Sequence, residues 1–347
     1  MPDNSLMDGQ RSWDSGVCPV CGTHEAIFVR EAYDDRYGQP DLFALMTCTQ
    51  CGHCMTAPRL PEESLAALYG TYYPRKHLVA EDIRREAGHS VTAFAALRRW
   101  WMGTDNQGQY TARSGDVMLD VGCGSGLSLL EARARGAQAR GIEADPNVRR
   151  LADELDLPIY VGRLVDAPLS GEQFDLITLN QVIEHIPEPD RLLVYLRDHL
   201  RHDGRMVLVF PNVGSFWCRI FGARWINWHV PYHLHHFSRE GFARLASRCG
   251  YRVRAARTIT PNLWTILQFQ TLRGTASRGA PGPMWAVTPK AGRDTDAVSG
   301  RRRNVSRGLR RVLGVVILIP LAIVNRVVDA LGLGDSLMVE IVAVEHT

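Results

Sequence analysis

Lysine is almost missing from this chain. Lys76 and Lys290 are the only two among 40 basic residues, and the rest are arginine. Biased coding explains that choice more simply than a phosphate-binding role. Excess charge is missing as well. A net charge of +3 over 347 residues gives no strong general attraction to nucleic acid. Long apolar runs are also lacking. Val312–Val324 holds 13 residues and contains Pro320, against the roughly 20 that a bilayer span needs. The N-terminus is polar and has no apolar core of a leader peptide, so no secretory signal is expected and the cytoplasm is the expected compartment. With 45% hydrophobic and 22% charged residues the composition is globular, and the length suits one large α/β domain with a smaller attachment.

Cysteine is present but unevenly spread: five of the eight fall between Cys18 and Cys54. Without export, such a cluster points to metal rather than disulfides. Cys18-Pro19-Val20-Cys21-Gly22 and Cys48-Thr49-Gln50-Cys51-Gly52 are two C-x-x-C-G knuckles. Each offers two thiolates on a tight turn, and four thiolates suit tetrahedral Zn²⁺ in a closed structural site. Cys18, Cys21, Cys48 and Cys51 are therefore the expected ligands, with Cys54 spare and His24 and His53 beside the knuckles. The few arginines of this segment are balanced by acids, so it is read as a substrate-side lid or docking module that does not grip phosphates.

The chain divides by pattern. Residues 1–16 are a polar tail expected to be disordered, 17–60 a zinc ribbon, and 61–115 a helical cover and linker. Residues 116–260 alternate strands with helices, as a βαβ architecture demands. Expected strands are Val117–Val121, Ala139–Glu143, Ile159–Val161, Phe174–Asn180 and Arg205–Phe210, with helices at Leu127–Arg135, Asn147–Leu155 and Asp190–Leu200. Arg252–Ile259 and Leu337–Val344 add two strands, separated by an insertion at 261–336. The domain plan closes with 337–347 as the last strand. Within the insertion, residues 273–300 are rich in Gly, Pro, Ser and Thr and read as a mobile loop. Six arginines between Arg301 and Arg311 then lead into Val312–Val324. A basic stretch entering an apolar helix can lie on a membrane surface, here through residues 301–324 and at its inner face, or it can pack against the protein's own core.

The most informative stretch is Leu119-Asp120-Val121-Gly122-Cys123-Gly124-Ser125-Gly126, an apolar strand entering a glycine loop, with Glu143 ending the next strand. Glycine lets a backbone approach a ligand closely. A dinucleotide fingerprint is G-x-G-x-x-G; here the spacing is G-x-G-x-G, with Leu127 where the last glycine would stand. That favours S-adenosylmethionine (SAM) over NAD.

On these residues the region 116–260 resembles a class I SAM-dependent methyltransferase. Leu119–Gly126 matches its glycine loop, Gly141–Pro146 its second-strand acid motif, and Phe174–Ile177 its fourth strand. Val182-Ile183-Glu184-His185-Ile186 matches the V-L-E-H-I sequence that follows. The resemblance implies a Rossmann-like, seven-stranded methyltransferase sheet in an α/β fold. It also implies cofactor contacts from Asp120, Gly122, Cys123, Gly124, Gly126, Glu143, Leu164 and Asn180. Arg163-Leu164 depart from the acid and small residue that often meet the adenine. The four-cysteine segment, Pro58–Pro61 and Tyr69–Tyr73 resemble bacterial methyltransferases with an N-terminal zinc-binding segment. Trp225–Phe237 and Ser238 resemble a block found in methyltransferases of sugars, surface glycans and quinone-like precursors.

Methyl transfer from a sulfonium is an in-line displacement, so an enzyme mainly positions the acceptor and removes a proton. His185 follows the fourth strand, at the edge where open α/β sheets bind ligands. Glu184 would orient it, an expectation that the related sugar methyltransferases support. His233 and His236, among Trp225, Trp228, Tyr232 and Phe237, are expected to face it across the acceptor pocket. The expected function is methyl transfer to oxygen or carbon of a small acceptor: a sugar, a glycan or lipid-linked precursor, or a quinone-like compound. The competing readings are an RNA methyltransferase that docks through the ribbon, a non-catalytic protein of the same fold, and an NAD oxidoreductase. Asn180-Gln181-Val182-Ile183 lacks the N-P-P-Y type that grips a planar amino group, so no nucleic-acid partner is expected.

Overall fold

The computed structural model describes residues 17–72, 79–90, 92, 94–272, 274, 276–282, 284–285 and 319–344. The tail at 1–16, most of the loop at 273–300, the arginine cluster and Val312–Leu318 lie outside the described residues.

The N-terminal segment forms β1 (Ala26–Ala32), β2 (Phe43–Cys48) and β3 (Cys54–Ala57), an antiparallel meander. Three helices follow: α1 (Glu62–Thr71), α2 (Ala80–His89) and α3 (Ala95–Met102). The large domain is built from β4 (Val117–Val121), α4 (Leu127–Arg133), β5 (Gln138–Glu143), α5 (Val148–Leu155), β6 (Ile159–Val161), β7 (Phe174–Asn180), α6 (Pro189–Asp198) and β8 (Leu200–Pro211). The chain continues through α7 (Phe216–Phe221), β9 (His235–His236), α8 (Arg239–Arg248), β10 (Tyr251–Ile259) and α9 (Asn262–Thr271). A helix at 319–330, called α10, and β11 (Ser336–Ala343) complete it.

The main sheet has seven strands in the order β10-β11-β8-β7-β4-β5-β6. The five from β6 to β8 run parallel, whereas β11 is antiparallel to both of its neighbours. The expected count of seven strands holds, and the insertion sits between the last two. Strands of such a sheet are covered on both faces and read as continuous apolar runs. Residues Arg205 to Pro211 of β8 are accordingly all buried. Arg205 is tolerated there because it pairs with Asp116 at 2.7 Å and donates to the Thr111 carbonyl.

The helices follow from period and capping. In α5 the buried residues Val148, Leu151, Ala152 and Leu155 repeat at i, i+3, i+4 and i+7, one apolar stripe. In α8 the Ser238 hydroxyl accepts from the Gly241 amide at 3.0 Å, an N-cap of the kind whose loss costs ~1 kcal/mol. Helix α2 packs through Ala80 and Ile83 into one apolar cluster with Leu129 and Leu151.

The ribbon is not self-contained. Its sheet has four strands, β1-β2-β3-β9, and the fourth comes from the histidine block after β8: Cys54 pairs with His236 and Met55 with His235. Val20, Met46 and Met55 share one core with Leu179, Phe210 and Phe237 of the large domain. The small module and the main sheet therefore fold against each other around a common apolar centre.

Candidate active site and cysteine centre

The loop after β4 turns through three glycines with positive φ. At Gly122 (φ 72°) a Cβ would stand 2.6 Å from Val182, so no side chain fits. At Gly124 (φ 54°) a Cβ would meet nothing within 4 Å. The backbone there faces open space beside the start of α4, a cradle for a ligand's polar groups. Glu143, at the end of β5, reaches this loop: its carboxylate accepts from the Gly124 amide at 2.8 Å and from the Asp145 amide at 2.9 Å. Each oxygen has a second lone pair, so both remain able to accept from ribose hydroxyls. This geometry fits SAM.

The other residues expected around the cofactor are placed less uniformly. Asp120 points into the protein. Its oxygens accept from the hydroxyls of Ser128 and Thr178 and from the Asn180 amide, and burial pushes its carboxyl up to about 6. It fixes the loop and the end of β7 from beneath and offers no face to a ligand. The Cys123 thiol is also turned inward, against Gly141, so only its backbone lines the loop. Asn180 accepts from the Gly108 amide at 2.6 Å, which ties the linker before β4 to the end of β7. Leu164 is half-buried in a short 3₁₀ turn beyond β6 and packs on the main core.

After β7 the chain turns sharply at Gln181, whose φ of 56° is rare for a side-chain-bearing residue. Among the described residues no partner reaches its buried Nε2. A 3₁₀ turn, Ile183–His185, then presents Glu184 and His185. The Leu234 amide donates to the Glu184 carbonyl at 2.8 Å and the Thr56 amide to the Leu234 carbonyl at 3.0 Å. Three distant stretches of sequence are thereby laid side by side.

Glu184 is 1% exposed, and among the described residues neither carboxylate oxygen has a hydrogen-bond partner. Burial pushes its carboxyl up to about 8. His185 lies with Nε2 4.0 Å from that carboxylate and keeps 21% of its side chain accessible. Its Nδ1 is 2.8 Å from the Tyr232 carbonyl and 2.9 Å from the Tyr69 hydroxyl. A carbonyl only accepts, so Nδ1 carries the proton and Nε2 the lone pair. Burial holds His185 down to about 4, which leaves it neutral at pH 7. His233 meets it edge to face, ring centroids 4.7 Å apart.

The structure thus brings Glu184, His185 and His233 together and sets His236 apart. His236 sits in β9 with Nε2 3.1 Å from the Thr56 hydroxyl and its ring against Trp228. Its neighbour His235 is likewise drawn away, with Nδ1 3.2 Å from His53. His229 backs His233 instead, its Nδ1 3.3 Å from His233 Nε2. Tyr69 and Tyr232 are the residues that motif reading left without a role. Tyr69 had a signal, since it opens the Tyr69–Tyr73 stretch. Tyr232 acts through its carbonyl, which no side-chain pattern reveals.

The four knuckle cysteines form one cluster. Cys18 and Cys51 lie with sulfurs 3.6 Å apart, Cys21 and Cys48 3.5 Å apart, and all four ligand atoms fall within 4.8 Å of one another. Zn–S bonds of about 2.3 Å in a tetrahedron set sulfurs about 3.8 Å apart, so these four can hold such an ion. Cys54 stands outside the cluster, buried in β3.

The profile of the Methyltransferase domain family matches residues 82–256, half of the chain. The ubiquinone biosynthesis O-methyltransferase of Xanthomonas campestris is 31% identical over 169 residues, 42% of this chain and 70% of that protein. The one of Cereibacter sphaeroides is 37% identical over 131 residues, 35% of this chain; the match spans 53%, about half, of that relative's length. Among solved structures, an S-adenosylmethionine dependent methyltransferase from Mesorhizobium loti aligns with a TM-score of 0.41 and 15% identity, covering 73% of this chain and 99% of the other. With the glycine loop and the seven-stranded sheet in place, the chain belongs to the methyltransferase domain family.

Proposed function

We propose that this enzyme methylates a hydroxyl oxygen of a small-molecule acceptor of the quinone-precursor, sugar or glycan-precursor class. The observation that carries the reading is the buried Glu184–His185–His233 cluster at the end of β7, on the edge of the sheet where the glycine loop opens. SAM contacts the backbone of Gly122–Gly126 and the Glu143 carboxylate, with Asn180 and Leu164 bordering it. The acceptor hydroxyl comes to the cluster, loses its proton there, and its oxygen attacks the sulfonium methyl in line. The names of the two relatives favour oxygen, and a phenolic quinone precursor, among the alternatives. Incubation with SAM and panels of phenolic quinone precursors, nucleotide sugars and lipid-linked glycans, read by product mass, tests this. A methylated product from one panel is expected; methylation of RNA alone would overturn the reading.

Two further parts belong to the proposal. Cys18, Cys21, Cys48 and Cys51 hold one structural Zn²⁺, with no coordination position left for substrate. The enzyme also touches a membrane surface through residues 301–324, to reach a lipid-linked or membrane-dissolved acceptor. No helix among the described residues is long and apolar enough to cross a membrane. Support for contact comes from α10, whose Ile319, Ile323, Val324 and Val327 are all exposed, and from the arginines that precede it in sequence.

A further inference from the structure

Glu184 poses a problem that methyl transfer alone does not resolve. A carboxyl group sealed from water with no partner on either oxygen is costly to bury, and most of all when ionised. Such a group normally has a cation. No arginine or lysine makes an ion pair with it among the described residues; His185, 4.0 Å away, is neutral at pH 7.

The two histidines beside it are arranged alike. His185 Nδ1 is 2.8 Å from the Tyr232 carbonyl, and His233 Nδ1 is 2.8 Å from the Asn227 carbonyl. In both rings the backbone oxygen fixes the proton on Nδ1 and leaves the lone pair on Nε2. Metal-binding histidines are held in this way, with the second ring nitrogen donating to a carbonyl or carboxylate. One ligand atom from each of Glu184, His185 and His233 lies within 4.8 Å of the others. Ligands of one ion at about 2.0–2.2 Å lie at most about 4.4 Å apart, so small side-chain rotations close the set. His233 Nε2 would exchange its contact with His229 for the metal.

We infer that Glu184, His185 and His233 bind a divalent transition-metal ion, with its remaining positions open to the acceptor's oxygen. Two imidazoles and one carboxylate suit Mn²⁺, Fe²⁺, Co²⁺ or Zn²⁺ and leave coordination sites free. This separates the site from the four-thiolate centre, which is closed. The inference rests on the reading that the cluster faces the acceptor, and it gives the cluster its means of ionising the hydroxyl. An O–H bound to such an ion loses its proton to water near neutral pH, as metal-bound water does. The oxygen's electron pair then forms the O–C bond to the sulfonium methyl. The C–S bond breaks with its pair on sulfur, leaving a neutral thioether and a methyl ether.

The test uses the full chain with its cysteine centre intact, treated with a mild chelator and then titrated with Mn²⁺ while electron paramagnetic resonance reads free and bound ion. One Mn²⁺ per chain is expected in the absence of acceptor. Glu184→Gln, which keeps shape, and His233→Ala should each weaken that binding roughly tenfold or more. SAM affinity, measured by calorimetry on the same samples, should be kept and reports that the variants are folded. Absence of Mn²⁺ binding, or binding equally tight in Glu184→Gln, His185→Ala and His233→Ala, overturns the inference. Turnover separates it from the functional reading. A chelated enzyme that still methylates its acceptor at full rate contradicts the metal and leaves methyl transfer standing. Mn²⁺ bound as described with no small molecule methylated does the reverse.

Discussion

The Leu234 amide donates to the Glu184 carbonyl at 2.8 Å, joining the turn after β7 to the histidine block that supplies β9. Because β9 also pairs with β3, the cysteine-bearing strands and the turn with Glu184 and His185 are two sides of one small assembly. The cysteine cluster is therefore joined through β3 and β9 to the turn that carries Glu184 and His185.

That coupling gives the first prediction. Protein purified without added metal and treated with a mild chelator should contain one Zn²⁺ per chain by elemental analysis. Cys48→Ser should lose it, together with the tertiary signal of the buried aromatics, since small modules of this kind depend on metal for folding. A fully folded, metal-free ribbon contradicts the assignment.

The second concerns the cofactor. Glu143→Ala should leave the sheet intact and weaken SAM binding by about 1.5–3 kcal/mol, the range for hydrogen bonds to a charged group. The same substitution frees the Gly124 amide, so part of the loss comes through the loop. Calorimetry that finds unchanged affinity removes Glu143 from the site.

A third follows from Asp120. Burial raises its native pKa to about 6 from an ordinary 3.8. Between those values the unfolded chain releases the proton while the native chain keeps it. Stability present below pH 3.8 is therefore lost as pH rises to about 6, with a slope of up to about 1.4 kcal/mol per pH unit from this group. Denaturation of Asp120→Asn across pH 4–6 should show a shallower fall with rising pH than the parent. An identical pH dependence shows that the carboxyl ionises as freely in the native state.

The fourth concerns lipid. Liposomes containing anionic lipid should float the full-length protein, and replacing Ile323 and Val327 by serine should reduce the bound fraction several-fold. Protein that stays in the bottom fraction at low salt leaves the basic and apolar segment without a membrane role.

Much of this architecture was legible in the residues, for identifiable reasons. The strands Val117–Val121, Ile159–Val161 and Phe174–Asn180 are short apolar runs bounded by turn residues, and the structure places them with those limits. The glycine loop was legible because Gly122 and Gly124 mark backbone that a side chain would obstruct or a ligand would fill. β9 was not: two residues carry no period, and their partner lies some 180 positions earlier. The inward turn of Asp120 was hidden for a related reason. A parallel strand buried on both faces does not alternate, so nothing in Met118-Leu119-Asp120-Val121 says which side chain reaches the ligand. The separation of His233 from His236 depended on knowing that the latter joins the ribbon sheet. Asn325, which bonds to Trp217, Asn262 and Thr265 and binds α10 to α7 and α9, came from the part of the insertion where composition alone gave no order.

The most direct test of the account is methyl transfer to the acceptor found by the panel, compared among His185→Ala, His233→Ala and His236→Ala. kcat is expected to fall by roughly 10²–10⁴ for His185→Ala, the range for a group that manages the proton. SAM affinity should change little. His233→Ala should follow His185→Ala, while His236→Ala, which loosens β9 but does not touch the cluster, should lose less. Near-normal turnover in both His185→Ala and His233→Ala would contradict it, and would mean that the cluster takes no part in moving the methyl group.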